Sequence, residues 1–384
     1  MLSPMPLVDS MVYKRIVRPV LFKMHPEKVH DRTVTLGRIA GSNALSRGAL
    51  RALYYYAHPA LVQTVRGITF KNPVGLAAGF DKNCQLMKVL PTVGFGFEEV
   101  GSITAEAYAG NSGTRLKRLP KDHSLIVFYG LKNRGAIALR ERFVDKKGVP
   151  KKFAIPIGIS VAKTNKEFHS IEEKIGDWVR GVQWMKDCGD YITINVSCPN
   201  TYDKQNFGEP CLLAQLLDGI ENAKLGLTKP VFIKLSADVS LKQLEEIITV
   251  CDKHSFVKGF ILTNLVKDRS KLHLITKEEE YADQRGGISG RPVMPYALML
   301  TKHAYRLVGD RYTIIGCGGI FTADDAYKYV RGGATLVQLV TGMIYGGPGT
   351  IKNINKGLVK LLERDGFTNI SQAIGADVQT NWKR

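Results

Sequence analysis

The stretch Tyr191 to Asn200, YITINVSCPN, passes from an apolar, β-branched run into residues able to hydrogen-bond or react. Such a run reads as a strand, and a strand delivers its last side chains at its carboxyl end. Asn195, Ser197, Cys198 and Asn200 would then stand together at the mouth of a barrel or sheet, with Pro199 stiffening the turn. Taken alone, Asn, Ser and Pro also make an ordinary strand-to-loop turn. The same pattern recurs, however. Ala77-Ala78-Gly79 with Lys82, Gly101-Ser102, Lys234, Thr263-Asn264, Gly318-Gly319 and Thr341-Gly342 each follow a short apolar run.

Working outward, the spacing predicts strands near 73–78, 97–100, 154–159, 190–196, 230–235, 257–263, 312–316 and 335–340. Runs such as Val231-Phe232-Ile233 and Thr313-Ile314-Ile315 suit strands buried on both faces. Eight strands with helical intervals predict an α/β fold, a (β/α)8 TIM barrel over 67–384. An open doubly wound sheet is the alternative. Against it, no GxGxxG follows the first strand, and the polar groups are spread over all the strand ends. The stretches 105–135 and 265–290 read as long irregular pieces, suited to lids or binding loops.

Residues 1–66 read as a separate helical segment. Val12, Ile16, Val17, Val20, Leu21 and Met24 alternate at helical spacing with Lys14, Arg15, Arg18 and Lys23, which makes a short basic amphipathic helix. Pro26 suits the first turn of a second helix, 27–40, and Gly41-Ser42-Asn43 breaks the chain before a third piece ending at Tyr54, Tyr55 and Tyr56. A basic helical hairpin with an apolar face is suited to lying on an anionic membrane surface, and it is expected to stand apart from the strand ends. The plain alternative is that its apolar face packs on the barrel and its charges are merely solvated.

At 384 residues the chain is long enough for one large barrel with an appendage. No run approaches the roughly 18 to 20 apolar residues of a membrane span. Six cysteines at irregular spacing, without a CxxC pair, read as reduced thiols, so neither a disulfide framework nor a metal site is expected. Met1 to Ser10 shows no signal peptide or presequence. The net charge of +19 admits nucleic acid, anionic lipid or anionic small molecules as partners. Nucleic acid is disfavoured, because no basic stripe with interleaved aromatics appears beyond the amino-terminal segment.

Seven motifs in chain order, GLAAGFDKN, NVSCPNT, VFIKLSAD, ILTN, GGISGRP, IIGCGGI and GATLVQ, resemble those of the dihydroorotate dehydrogenases, flavin enzymes of pyrimidine biosynthesis. Singly each is weak; together they cover nearly the whole chain from Met11. The segment VYKRIVRPVLFKMHPEKVHDRT resembles the membrane-associated, quinone-using class. The resemblance implies an FMN-dependent oxidoreductase that oxidises dihydroorotate to orotate and passes electrons to a quinone. It also implies a peripheral place on the cytoplasmic face of the inner membrane, or on the mitochondrial inner membrane in a eukaryote.

An FMN site needs backbone donors for a phosphate, a flat bed for the ring and polar groups at its edge. Gly318, Gly319, Thr341 and Gly342, after strands seven and eight, suit the phosphate. Ala77, Ala78 and Gly79 are small enough to let a ring lie on the backbone, and Lys82 and Lys234 place positive charge where it gathers electrons. The resemblance adds Ser102, Ser160, Asn195, Thr263, Ser289 and Gly290 around the cofactor, and Arg118 and Val340 toward the quinone. Substrate falls to Lys82, Asn195, Asn200 and Asn264, since an amide carries both donors and acceptors for a pyrimidine. Cys198 matches the general base that takes the proton from C5 while C6 gives hydride to flavin N5. Most quinone-using relatives have Ser there and the soluble class has Cys, and a thiol, ordinarily near pKa 8.5, needs less help than a hydroxyl to act as a base.

Departures stand beside the matches. Relatives show Asn where Val127 stands, usually Asn at Lys132, Thr at Leu265 and Asn at Ser160, and the loop TYDKQNFGEP lacks their Gly-Leu-Arg. Leaving a buried polar substrate atom unpaired costs about 1 to 3 kcal/mol. The departures therefore keep open another dihydropyrimidine or unsaturated ring as substrate, with Lys132 supplying a charge for a carboxylate. A flavin enzyme acting on uridines in RNA and a binding module with a decayed site are the more distant readings. Retention of Lys82, Cys198, Asn200, Lys234 and Asn264 speaks against decay.

Overall fold

The computed structural model describes residues 11–198, 200 and 206–378; Pro199, the loop 201–205, residues 1–10 and residues 379–384 lie outside the described residues. Eight parallel strands close into a barrel: β1 (Val74–Leu76), β2 (Phe97–Ile103), β3 (Ile157–Val161), β4 (Tyr191–Asn195), β5 (Val231–Leu235), β6 (Val257–Leu262), β7 (Thr313–Cys317) and β8 (Leu336–Leu339). Each pairs with its neighbours in sequence, and β8 pairs with β1. The eight expected strands are all present.

The two-residue alternation of strands sorts the interior into layers. Phe97, Tyr191, Phe232, Ile261, Ile315 and Leu336 fill the lower layer. Gly75 and Gly158 make room for two of these rings: a β-carbon at Gly75 would meet the Phe97 ring at 2.4 Å, and one at Gly158 the Tyr191 ring at 2.0 Å. One pleat higher the filling is polar, with Glu99, Thr193, Lys234 and Gln338 all buried. The next residues along, at the carboxyl ends, wall the cavity described below.

Two stretches differ from expectation. Residues 105–135 and 265–290 are not irregular; their strands Leu116–Leu119, Ser124–Val127 and Gly287–Gly290 pair into a three-stranded antiparallel sheet over the barrel mouth. Each strand has four residues, too few for a period to show, and Leu119, Ile126 and Ile288 become a buried cluster only once the distant pieces meet. Below the barrel, Gln63–Val65 and Ile68–Phe70 form a hairpin turning at Arg66 and Gly67. Phe70 meets Phe97 edge-on at 5.3 Å and closes the floor. The 66/67 division thus falls inside a tight turn.

The amino-terminal helices lie across the mouth. A helical run from Met11 to Lys23 precedes α1 (Pro26–Ser42) and α2 (Ala44–Tyr54), with Pro26 in the first turn of α1. The break falls at Asn43, whose side chain accepts from the Leu45 amide and caps α2. Gly41 stays helical and buried because α1 packs closely there: a β-carbon would come within 3.2 Å of the Val89 backbone nitrogen.

Candidate active site

The strand ends enclose one cavity with two lobes. Ala77, Ala78, Gly79, Thr263, Ser289, Gly290, Gly318, Gly319, Val340, Thr341 and Gly342 line the first. Lys82, Ser102, Tyr129, Lys132, Asn195, Cys198 and Asn200 line the second. Ala78, Gly79, Val127, Lys234, Asn264 and Leu265 border both. The two lobes therefore adjoin along these six residues.

Small residues shape the first lobe. At Gly79, where φ is +110°, an added β-carbon would meet nothing within 4 Å, so the open space above it is the cavity itself. Gly342 and Gly319 are the reverse case: β-carbons there would strike the Ile320 carbonyl at 2.0 Å and Met294 at 2.5 Å. The β7 and β8 ends thus expose bare backbone, as a phosphate cradle requires. The remaining wall is apolar, through Leu125, Val127, Val293 and Leu339. Lys234 rises from the polar layer with its Nζ 3.4 Å from the buried Glu99 carboxyl, which also accepts from Thr193 and Gln338. A cation held beneath a flat apolar slot, beside exposed backbone, fits a phosphorylated planar cofactor.

The second lobe is held by a chain of polar contacts crossing four strand ends. Ser160 Oγ and Ser102 Oγ lie 2.8 Å apart, Asn195 donates to Ser102 at 2.8 Å, Ser197 donates to Asn195 at 2.7 Å, and Asn264 donates to Ser197 Oγ at 3.0 Å. Ser160 stands behind the wall and acts through Ser102. Asn200 donates to the Val127 carbonyl at 2.9 Å, so this chain engages Asn200 through backbone at that position. Cys198 is half-buried beside it. Burial pushes the thiol up to about 11, partly offset by a backbone hydrogen bond at Asn200 and by Lys163. A thiol still needs less help than a hydroxyl to act as a base, but desolvation here works against its ionisation.

Lys82 is 8% exposed. Its Nζ lies 4.0 Å above the Tyr129 ring and 3.2 Å from His30 Nε2, on α1. Burial first of all brings it down to about 7. Burial also lowers His30, with the Lys82 charge next. His30 Nε2 faces the Phe80 carbonyl at 2.9 Å as well, so it either donates there or accepts from Lys82. Nearby, Glu27 of α1 meets Arg115 at 2.6 Å and Lys132 at 3.4 Å. The hairpin is therefore not separate from the strand ends: Glu27 and His30 reach Lys132 and Lys82 at the second lobe. Nothing in the periodicity of 11–40 signals this, because it depends on which helical turn settles over the mouth.

A third, apolar cavity lies between these helices and the barrel, lined by Tyr13, Phe22, Val29, His30, Phe80, Arg118, Leu125 and Ile344 among others. Arg118 is set here, donating to the Met24 carbonyl at 2.8 Å with its guanidinium 4.7 Å from the Phe22 ring. Leu125 borders both this cavity and the first lobe. Val340 faces the first lobe instead. Sequence reading had not singled out Glu99, His30, Tyr129 or Arg115. Of these only Glu99 left a trace, the alternation Phe97, Glu99, Gly101 on the inner face of β2.

Among the described residues, no group of three or more His, Cys, Asp or Glu could hold a metal, and the six cysteines are free.

A strand-end cavity with a small-residue slot on one side and amides beside a thiol on the other defines an α/β-barrel enzyme that brings a planar cofactor against a planar substrate. Comparison narrows the class. A family model described as dihydroorotate dehydrogenase matches residues 60–362. A dihydroorotate dehydrogenase (quinone) of Roseiflexus castenholzii is 35% identical over 367 residues, covering 95% of this chain and 96% of the relative. That of Mycolicibacterium smegmatis is 37% identical over 365 residues, covering 95% and 99%. The crystal structure of DHODH from Eimeria tenella in complex with ferulenol superposes with a TM-score of 0.78 at 28% identity, covering 92% of this chain and 95% of that one. The chain belongs to the dihydroorotate dehydrogenase family.

Proposed function

We propose that the protein oxidises dihydroorotate to orotate with bound FMN, in pyrimidine biosynthesis, and passes the electrons to a quinone. The observation that carries this reading is the shared border of the two lobes, with Cys198 and three asparagines on one side and the glycine-built slot over Lys234 on the other. The slot fits FMN: Gly318, Gly319, Thr341 and Gly342 would hold the phosphate, Ala77 to Gly79 the ring, and Lys82 and Lys234 its polar edge. FMN, when bound, supplies the acceptor for hydride from C6 of the substrate. Cys198 Sγ takes the C5 proton. Asn195, Asn200 and Asn264 orient the pyrimidine, and the three-stranded sheet with the hairpin keeps water from the reacting face.

The apolar third cavity, bordering the first lobe through Leu125 and holding Arg118, is the place for the quinone ring. Val12, Ile16, Val20, Leu36, Ile39 and Leu45 leave apolar surface exposed on the amino-terminal helices, 62% for Ile16 and 83% for Leu45. These residues favour the membrane reading over packing on the barrel, while no helix among the described residues is long and apolar enough to cross a membrane. We assign the helices up to Tyr54 to membrane association and quinone access, on the cytoplasmic face of the inner membrane, and the chain from the floor hairpin at Gln63 onward to the catalytic barrel.

Val127 and Leu265, apolar on the border of both lobes, favour a second substrate class, a related unsaturated ring with fewer polar groups. The product decides between them. Anaerobic incubation with dihydroorotate and a soluble quinone should yield orotate and quinol in equal amounts, and acid should release FMN, identified by mass spectrometry. No orotate from an FMN-loaded protein would leave the related ring as substrate; FAD, or no flavin, would overturn the slot assignment.

A further inference from the structure

Behind Lys82 lies a pair of acids that the reaction does not use. Asp81 and Glu98 are each 0% exposed, Asp81 on the turn after β1 and Glu98 on the outer face of β2. Asp81 Oδ2 accepts from the Leu86 amide at 2.6 Å, which folds the turn back on itself. Asp81 Oδ1 and both carboxyl oxygens of Glu98 are buried with no hydrogen-bond donor paired to them. The two buried carboxyl groups act directly on one another, Asp81 holding the Glu98 carboxyl up. Two carboxylates cannot bond, since neither has a hydrogen to give, and two buried negative charges in contact repel strongly.

We propose that Glu98 is a neutral carboxylic acid whose hydroxyl donates to Asp81 Oδ1, and that this shared proton positions the turn bearing Lys82 against the cavity. The backbone carries the effect forward. Gly101 donates to the Asp81 carbonyl at 3.1 Å, and Gly79 donates to the Gly101 carbonyl at 2.8 Å. The acid pair therefore ties the outer side of β2 to the same turn whose inner side presents Gly79 and Lys82 to the two lobes. Cys84, buried on that turn, feels both acids, and Lys82 feels Asp81; burial first, then Asp81, Glu98 and Cys188, holds the Cys84 thiol up, and Arg142 opposes them. Burial, then Asp81, likewise holds the Glu98 carboxyl well above the usual carboxylate range. Glu98 is thus a positioning residue, acting through Asp81 on Lys82, and its consequence for FMN rests on the reading that Lys82 stands at the cofactor edge.

Infrared spectroscopy of the holoenzyme tests the proton directly. A protonated-carboxyl C=O band should be present at pH 8 and vanish in Glu98→Gln; its absence from the wild type, or its persistence in the variant, overturns the proposal whatever the cofactor. The consequence is tested by FMN affinity. Glu98→Gln keeps a neutral donor to Asp81 and should bind FMN as the wild type does, whereas Glu98→Leu, without a donor, should weaken FMN binding about tenfold and release protection of the Leu86 amide against hydrogen exchange. Equal affinity and equal Leu86 protection in the Leu variant would remove Glu98 from the positioning of Lys82. If the Leu variant does not fold, the wild-type and Gln spectra still decide the proposal.

Discussion

The two lobes share a wall, yet they are built from different material. The glycine slot is made of backbone: its shape follows from Gly79, Gly319 and Gly342, and few other residue types would leave the space or the close approach. The second lobe is made of side chains held by other side chains, from Ser160 through to Asn264 and from Lys82 to His30. A backbone site is fixed once the barrel closes. A side-chain site depends on whatever covers it, and here that cover includes α1. The first lobe should therefore tolerate loss of the hairpin, while the second should not.

The largest effect expected is at Cys198. Cys198→Ala should slow flavin reduction by dihydroorotate by about 100-fold or more, with FMN content near that of the wild type, because a proton acceptor and not a binding group is removed. In the proposed mechanism the thiolate is the base, and burial raises the thiol to about 11, so the wild-type rate should climb with pH through the neutral range toward that value. Stopped-flow bleaching across pH 6 to 10 checks the sign. A flat profile would mean that bound substrate and cofactor have already brought the thiol down. Cys198→Ser should fall between wild type and Ala, with its rise displaced to higher pH.

Removing the amino-terminal segment through residue 42 sharpens the comparison between the lobes. Quinone reduction should be lost with the third cavity. Flavin reduction by substrate should also slow, by roughly tenfold, because Lys82 loses His30 and Lys132 loses Glu27. FMN retention should change little. Equal loss of FMN and of turnover would show that the first lobe depends on the hairpin too.

Lys132→Asn is a smaller perturbation. Arg115 already holds Glu27 at 2.6 Å, and the Lys132 contact is longer and partly solvated. The Michaelis constant for dihydroorotate should rise roughly threefold at unchanged flavin content, in keeping with an ion pair worth less than about 1 kcal/mol. No change would place Lys132 outside substrate recognition.

The smallest effect concerns stability. Glu98 has a folded-state pKa raised above its unfolded value, near 4.3, so its contribution is fully present below that value and is lost as pH rises through the folded one. Glu98→Gln, which has no proton to lose, should gain melting temperature relative to wild type on going from pH 5 to pH 8. An unchanged difference would mean that the Glu98 carboxyl is not held up in the folded protein.

The barrel was legible because its evidence is local: eight β-branched runs, each ending in polar residues, state their own burial. That Gly318, Gly319, Thr341 and Gly342 meet at one cavity was legible for the same reason, since such pairs are marks a strand end carries by itself. What stayed hidden depends on pieces far apart in sequence. The covering sheet joins Ser124–Val127 to Gly287–Gly290, and His30 meets Lys82 only because α1 crosses the mouth at one particular turn. The upward push on the Cys198 thiol was hidden on the same ground, because it follows from burial and not from residue type.

The most direct test of the account is anaerobic stopped-flow mixing of the FMN-loaded protein with dihydroorotate at pH 8. The account predicts single-turnover bleaching of the flavin, faster at pH 9 than at pH 7 and about 100-fold slower in Cys198→Ala. Flavin that stays oxidised with dihydroorotate, or bleaches as fast in the Ala variant as in the wild type, would contradict it.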